Sequence, residues 1–159
     1  MERMFRQRME YVRSAPSEDC FLCADAETDD PEGSFVLFRN ELCLVLLNRF
    51  PYNTGHLLIS PLRHVGEIEE LTGPELEEVM ALTLRGISAL KAAMQPEGLN
   101  LGANLGGAAG AGVPGHLHMH VVPRWTGDTN FMPVVAETKV LPEDLAQTYQ
   151  RLEPHFRGP

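Results

Sequence analysis

The run His116-Leu117-His118-Met119-His120-Val121-Val122 sets three imidazoles at every second position. Successive side chains of a strand point to opposite faces, so the three rings share one face while Leu117, Met119 and Val121 share the other. With 6 histidines in 159 residues, random placement gives an expected count of only about 0.008 for such a pattern. Imidazole attacks phosphorus well near neutral pH because much of it is uncharged there, and the phosphoramidate it forms is labile enough to turn over. That chemistry needs one attacking histidine, with its other ring nitrogen held by a carbonyl. It also needs a neighbour to protonate the departing oxygen or bind the phosphoryl oxygens. A row of three supplies both. The competing chemistry is a three-histidine metal site, but hydrolytic metal sites usually add carboxylate or water ligands, and no carboxylate is close in the sequence.

Residues Asn104 to Gly115 lead into this row and are rich in glycine and alanine. Alone, such a stretch reads as a flexible loop. Joined to the histidines it is a candidate phosphate cradle, since glycines let backbone N–H groups approach phosphate oxygens as an anion-binding nest. The Gly-Lys-Ser/Thr ending of a P-loop is missing, which excludes that motif. Far upstream, Cys20 and Cys23 have the spacing that lets two thiolates reach one tetrahedral zinc, with two ligands still to be found. A redox disulfide is the alternative, but thioredoxin-like pairs sit at a strand-to-helix junction, whereas this pair precedes an acidic stretch. Cys43 falls in an apolar run and reads as core; His155, near the terminus, carries no signal.

The elements that must position these groups are legible in part. Ser34 to Phe38, Glu41 to Leu47 and His56 to Ser60 are short apolar runs separated by turn residues and read as three sequential antiparallel strands. Thr72-Gly73-Pro74-Glu75 has capping-box spacing, and Leu76, Val79, Met80, Ile87, Leu90 and Met94 recur at helical intervals, predicting one long helix. Gly86 within it costs about 1 kcal/mol relative to alanine. Leu99 to Asn104 and His116 to Val122 are the fourth and fifth strands, and a short C-terminal helix starts near Pro142 with Leu145, Tyr149 and Leu152 on one face. Residues 24 to 33 are acidic and turn-prone and read as a surface loop. Residues 1 to 16 read as a docked arm. The expectation is an α+β fold: an antiparallel five-stranded sheet, one long helix and a short C-terminal helix, in a single domain spanning 1–159.

Bulk properties narrow the function classes. A net charge of -9, with basic residues scattered, disfavours nucleic acid as a partner. The longest apolar run, Leu42 to Leu47, is far too short to span a bilayer, so no membrane partner is expected. An odd number of cysteines and no apolar leader fit a cytoplasmic protein.

The three histidines followed by two apolar residues and Pro123-Arg124-Trp125 resemble the defining motif of the histidine triad superfamily. Asn48-Arg49-Phe50-Pro51-Tyr52-Asn53-Thr54-Gly55-His56 and Ser60-Pro61-Leu62-Arg63-His64 resemble its upstream frame. Arg124 to Pro133 is similar to the branch holding fragile-histidine-triad hydrolases and mycobacterial-type diadenosine tetraphosphate phosphorylases. The resemblance implies a homodimer and a nucleotidyl-transfer enzyme acting on dinucleoside polyphosphates, with His118 as nucleophile and His116 and His120 as its supporting catalytic neighbours. Asn48 is expected at the ribose, and Asn104 at phosphate together with the backbone of Gly110, Ala111, Gly112 and Val113. It also implies a structural zinc on Cys20, Cys23, His64 and His116. Water resolving the intermediate makes a hydrolase, and inorganic phosphate makes a phosphorylase. A non-catalytic, zinc-ordered nucleotide-binding module is the remaining class. One departure stands out: many members carry Gln four residues before the first histidine, where this chain has Gly112. Trp125 is expected either in the nucleotide pocket or at a dimer interface.

Overall fold

The computed structural model describes residues 20–129, 141 and 143–158; the arm at 1–16, residues 130–133 and Pro142 lie outside the described residues. In chain order it contains helix α1 (Phe21–Ala26), strands β1 (Val36–Arg39), β2 (Cys43–Leu47) and β3 (Leu57–Pro61), and the long helix α2 (Gly73–Met94). Strands β4 (Gly98–Ala103) and β5 (Met119–Arg124) and helix α3 (Leu145–Leu152) follow. All strand pairs are antiparallel and form one five-stranded sheet in the order β1-β2-β3-β5-β4. The last strand in sequence is thus inserted beside β3, which brings the histidine segment into the interior of the sheet. This is the expected α+β architecture.

Strands β2 and β3 are buried along their whole length, which is why they read as continuous apolar runs rather than alternating ones. Helix α2 covers one face, packing Val79, Leu82, Ala89 and Leu90 onto Val45, Leu57, Ile59 and Val121. Leu22 of α1 joins Val36, Leu44, Leu46 and Leu58 in a second cluster. The capping box forms as expected: Glu75 N–H reaches Thr72 Oγ1 at 3.3 Å, and Thr72 N–H reaches Glu75 Oε2 at 2.8 Å. Gly86 has a packing reason, since a Cβ there would stand 3.0 Å from Leu57 Cδ1.

Two boundaries differ from the sequence expectation. The fifth strand starts at Met119 rather than His116, and its ladder with β3 runs only from Leu57↔Val121 to Ile59↔Met119. Pro61 has no N–H to offer the segment before Met119. Ser60 Oγ instead donates to the Leu117 carbonyl at 2.9 Å, and Leu117 N–H is taken by Val65 O at 2.7 Å. The second difference is α1, which turns residues 24–26 of the expected loop into helix; buried Asp25 in it is ion-paired with Arg49 at 2.6 Å. Helix α3 begins at Leu145, where Asp144 accepts Gln147 N–H at 2.8 Å as its N-cap.

Candidate active site and metal centre

Because the ladder stops at Met119, the histidine row fans out instead of forming one flat face. His118 and His120 stay together, with ring centroids 5.0 Å apart, while His116 turns toward the cysteine pair. His118 Nδ1–H donates to the His116 carbonyl at 2.7 Å, so in the neutral ring Nε2 is the atom with the free electron pair. Burial lowers the pKa of His118 from the ordinary histidine value, against the raising effect of that hydrogen bond. The ring is therefore held neutral at pH 7.

His120 is set by a second imidazole. Tyr52 N–H donates to His56 Nδ1 at 3.0 Å; a backbone amide can only donate, so neutral His56 carries its proton on Nε2. That Nε2 lies 2.8 Å from His120 Nδ1 and donates to it, which places the His120 proton on Nε2. The Tyr52 ring lies nearly parallel to His120, at 14° and 5.7 Å between centroids. His56 stands in the family frame without a role assigned from sequence. Its position across β3 from His120 depends on the strand register, which spacing alone does not reveal.

A cavity of about 650 Å³, measured to its open mouth, lies over these two histidines. Its wall includes Phe21 of α1, Asn48, Phe50 and Tyr52 from the β2–β3 connection, and Asn104, Gly110, Gly112 and Val113. Asn48 Oδ1 accepts Phe50 N–H at 2.9 Å, and Asn104 Nδ2 donates to the Gly110 carbonyl at 3.3 Å. Gly110 sits at φ +85°, in the left-handed region, where the glycine loop turns. Of the expected substrate-binding residues, Ala111 alone is absent from this wall, being buried behind it. A Cβ at Gly112 would meet nothing within 4 Å, so the space of the missing Gln side chain is open. Phe21, Arg49, Phe50 and Tyr52 were not singled out from sequence for this cavity. Arg49 reaches it through its ion pair with Asp25 and lies over the Phe21 ring at 5.9 Å. Trp125 lines neither this cavity nor the one beside it.

The second centre lies at the far end of the row. Ligand atoms of Cys20, Cys23, His64 and His116 all fall within 4.8 Å of one another. Cys20 Sγ is 3.2 Å and Cys23 Sγ 3.4 Å from His116 Nδ1, and Cys23 Sγ is 3.3 Å from His64 Nδ1. Sulfur and nitrogen ligands of a tetrahedral zinc stand about 3.5 Å apart, so the donor set fits that ion with little movement. His116 Nε2 lies 2.8 Å from the Pro61 carbonyl; donating to it leaves Nδ1 unprotonated, the tautomer a metal ligand needs. Burial and the neighbouring Cys20 push the Cys23 thiol up to about 11, a cost of crowding two thiols that a dication removes. With both ring nitrogens engaged, His116 anchors the row and is not placed for proton transfer. Cys43 lies in the core, as expected.

Similarity to known proteins agrees with this arrangement. A sequence profile of the HIT domain matches residues 31–127. An "AP-4-A phosphorylase" of Mycobacterium tuberculosis H37Rv is 44% identical over 126 residues, covering 79% of this chain and 64% of that protein. A "Bis(5'-nucleosyl)-tetraphosphatase [asymmetrical]" of Schizosaccharomyces pombe is 32% identical over 98 residues, covering 62% of this chain and 53% of that protein. The chain thus spans less than two thirds of the length of either relative. In three dimensions a Zn-bound histidine triad family protein from Mycobacterium smegmatis superposes with a TM-score of 0.69 at 25% identity, covering 89% of this chain and 95% of that one. Motif, strand order and similarity agree: the chain belongs to the HIT domain, or histidine triad, family.

Proposed function

We propose that the chain is a nucleotidyl transferase that cleaves dinucleoside polyphosphates, such as diadenosine tri- or tetraphosphate, through a covalent nucleotidyl-His118 intermediate. The observation that carries this reading is the 2.7 Å hydrogen bond from His118 Nδ1 to the His116 carbonyl, which directs the nucleophilic electron pair to Nε2 in a ring that lines the cavity. Nε2 bonds to the α-phosphorus as the phosphoanhydride P–O bond breaks and the oxygen departs as a phosphate anion, and His120 Nε2–H donates a hydrogen bond to that oxygen as its charge grows. Asn48 holds the ribose, and Asn104 with the backbone of Gly110, Gly112 and Val113 holds phosphate. The resolving nucleophile then bonds to phosphorus as the N–P bond breaks, which returns the electron pair to His118 Nε2, and any proton the nucleophile loses goes to solvent.

Inorganic phosphate is favoured over water in that last step by the open space at Gly112 and by the relative named AP-4-A phosphorylase. Incubating the protein with radiolabelled diadenosine tetraphosphate tests this directly. Phosphorolysis gives ADP and ATP, with ADP appearing only when inorganic phosphate is added; hydrolysis gives AMP and ATP without it. Neither product, and no adduct on the protein, would remove the enzymatic reading in favour of a nucleotide-binding module.

Zinc on Cys20, Cys23, His64 and His116 is the structural cofactor of this reading, in a single domain acting in the reducing cytoplasm. Among the described residues no helix is long and apolar enough to cross a membrane. The assembly is a homodimer. Leu76, Met80 and Leu84 recur every fourth residue of α2 and are 44%, 46% and 60% exposed, and Leu101, on edge strand β4, is 53% exposed. An apolar stripe of this kind marks an interaction surface. Sedimentation analysis is expected to give twice the chain mass for the native protein and a monomer for Leu84→Glu. A native monomer at micromolar concentration would contradict this assignment.

A further inference from the structure

Among the described residues lining the cavity over His118, Arg49 is the side chain with a permanent charge, and nucleotidyl transfer at His118 gives it no task. Strand register fixes the end of the cavity it occupies. Leu46 pairs with Leu58 and Leu58 with His120, and directly opposed residues of antiparallel strands share a face. One row of side chains therefore leads from β2 to the reacting histidines. Leu22 of α1 packs on the β2 side of that row, and Arg49 is tied to the same helix, paired with Asp25 and over the Phe21 ring. The cavity thus has two ends. His118, His120, Asn104 and the glycine loop form one, while Arg49 stands at the other beside Phe21 and Phe50.

Asp25 holds this guanidinium without using it up. Asp25 Oδ1 accepts one N–H, from Arg49 Nη2 at 2.6 Å. A guanidinium presents two forks of paired N–H groups, Nε with Nη2 and Nη1 with Nη2, and Nη2 carries one hydrogen in each. Whichever hydrogen Asp25 takes, the other fork stays whole. Two parallel donors match two adjacent acceptors, and guanine offers such a pair at O6 and N7. Adenine has N7 beside its N6 amino group, which sets donor against donor. We propose that Arg49 is a specificity-determining residue whose remaining fork selects a 6-oxopurine base, guanine or hypoxanthine, over adenine.

The placement favours a base over a phosphate for that fork. Asn48, the ribose residue of the proposed reading, directly precedes Arg49, so the base of a nucleotide seated there extends toward Arg49 and away from His118. Phe21 and Phe50 line that end of the cavity, and aromatic rings suit the face of a base. The Asp25 side chain, only 5% exposed, stands behind the cation and offsets the charge that would draw an anion. What Arg49 still offers is a pair of directed N–H groups, and directed donors read base edges, whereas bare charge only positions phosphate. The ion pair also fixes the guanidinium in advance, so little side-chain freedom is lost when a base meets it.

This inference rests on the nucleotidyl-transfer reading and deepens it, and its test separates the two. The full chain is assayed with diadenosine, diguanosine and diinosine tetraphosphates. The native protein is expected to favour the guanosine and inosine substrates over the adenosine one by at least about fivefold in kcat/KM. Arg49→Lys keeps the charge opposite Asp25 but not the fork, and is expected to bring both ratios to within about twofold of unity, with the loss in KM. The double variant Arg49→Met/Asp25→Asn, which leaves no buried carboxylate unpaired, is expected to do the same. A native protein without the preference, or with the opposite one, overturns the assignment. So does a preference for guanosine that inosine does not share, since the 2-amino group would then be what is read. Variants that lower all three substrates alike and keep the native ratios overturn it as well. Each of these outcomes leaves nucleotidyl transfer intact, whereas failure to form the His118 adduct from any of the three substrates removes the reading beneath it.

Discussion

Replacing His118 by Asn is expected to lower turnover of diadenosine tetraphosphate by at least about 10⁴-fold, beyond the 10²–10⁴ that one acid–base group supplies, because the bond-forming atom itself is lost. Nucleotide affinity should persist, since Asn keeps a polar side chain at that point and the rest of the cavity wall is unchanged. His120→Ala is expected to lose about 10² to 10³ in rate and still form some adduct, as losing a hydrogen-bond donor to the departing oxygen slows the step without abolishing it. His116→Ala should act on metal content and stability. Mass spectrometry after an alkaline quench reads the added nucleotide on the peptide 116–124, because phosphoramidates survive alkali better than acid. The pH dependence has a definite sign. Burial lowers the His118 pKa, so the neutral nucleophile persists as pH falls through the ordinary histidine value, and adduct formation declines only below it. A His118→Asn protein that keeps more than about a tenth of wild-type turnover loses less than even one acid–base group contributes. That outcome would sink the covalent mechanism and favour metal chemistry on the histidine row.

The second large effect concerns the metal centre. Elemental analysis of protein purified without chelator is expected to give one zinc per chain, and less than a tenth of an equivalent would remove the assignment. Structural zinc sites supply about 10–16 kcal/mol of apparent binding energy in isolated fingers, most of it coupled to folding. Here a sheet and α2 already carry a core, so the loss is smaller but still several kcal/mol. The double variant Cys20→Ser/Cys23→Ser should lower Tm by more than about 10 °C, at about 2–4 °C per kcal/mol for a chain of this size. Chelation of the native protein should reproduce the shift, and readdition of zinc should reverse it. An unchanged Tm in both experiments would make the cysteine pair incidental to folding.

Much of the site was legible because it is local. The row of alternate histidines declares its spacing, and the glycine segment adjoins it. The capping box at Thr72 marks the start of α2 without any tertiary information. What stayed hidden depends on register or on pairs distant in sequence. The relay from His56 to His120 exists because β5 lies against β3, which places Leu58 opposite His120. The early end of that ladder follows from Pro61, whose missing N–H matters only once β5 is its neighbour. Asp25 and Arg49 look like ordinary surface charges, yet they meet at 2.6 Å with the Asp25 side chain buried. Helix α1 has no recognisable cap or periodicity, as six residues scarcely can. That His64 and His116 join the cysteine pair was readable only through family resemblance, since they converge from separate connections on opposite sides of α2 in the sequence.

Helix α1 is far below the ~12–15 residues at which an isolated helix begins to hold in water, so its order is borrowed from what it touches. Within a few residues it has Cys20 and Cys23 in the cysteine–histidine cluster, Leu22 in the second core cluster, and Phe21 in the wall of the cavity over His118. In the proposed reading, one short segment belongs to two binding sites at once, which links zinc and nucleotide binding thermodynamically. An ion that orders Cys20 and Cys23 also pre-forms the face presented by Phe21, so the nucleotide meets a wall whose ordering cost is already met. Reciprocity requires the converse: a bound nucleotide that holds Phe21 in place tightens the equilibrium binding of the ion by the same coupling free energy.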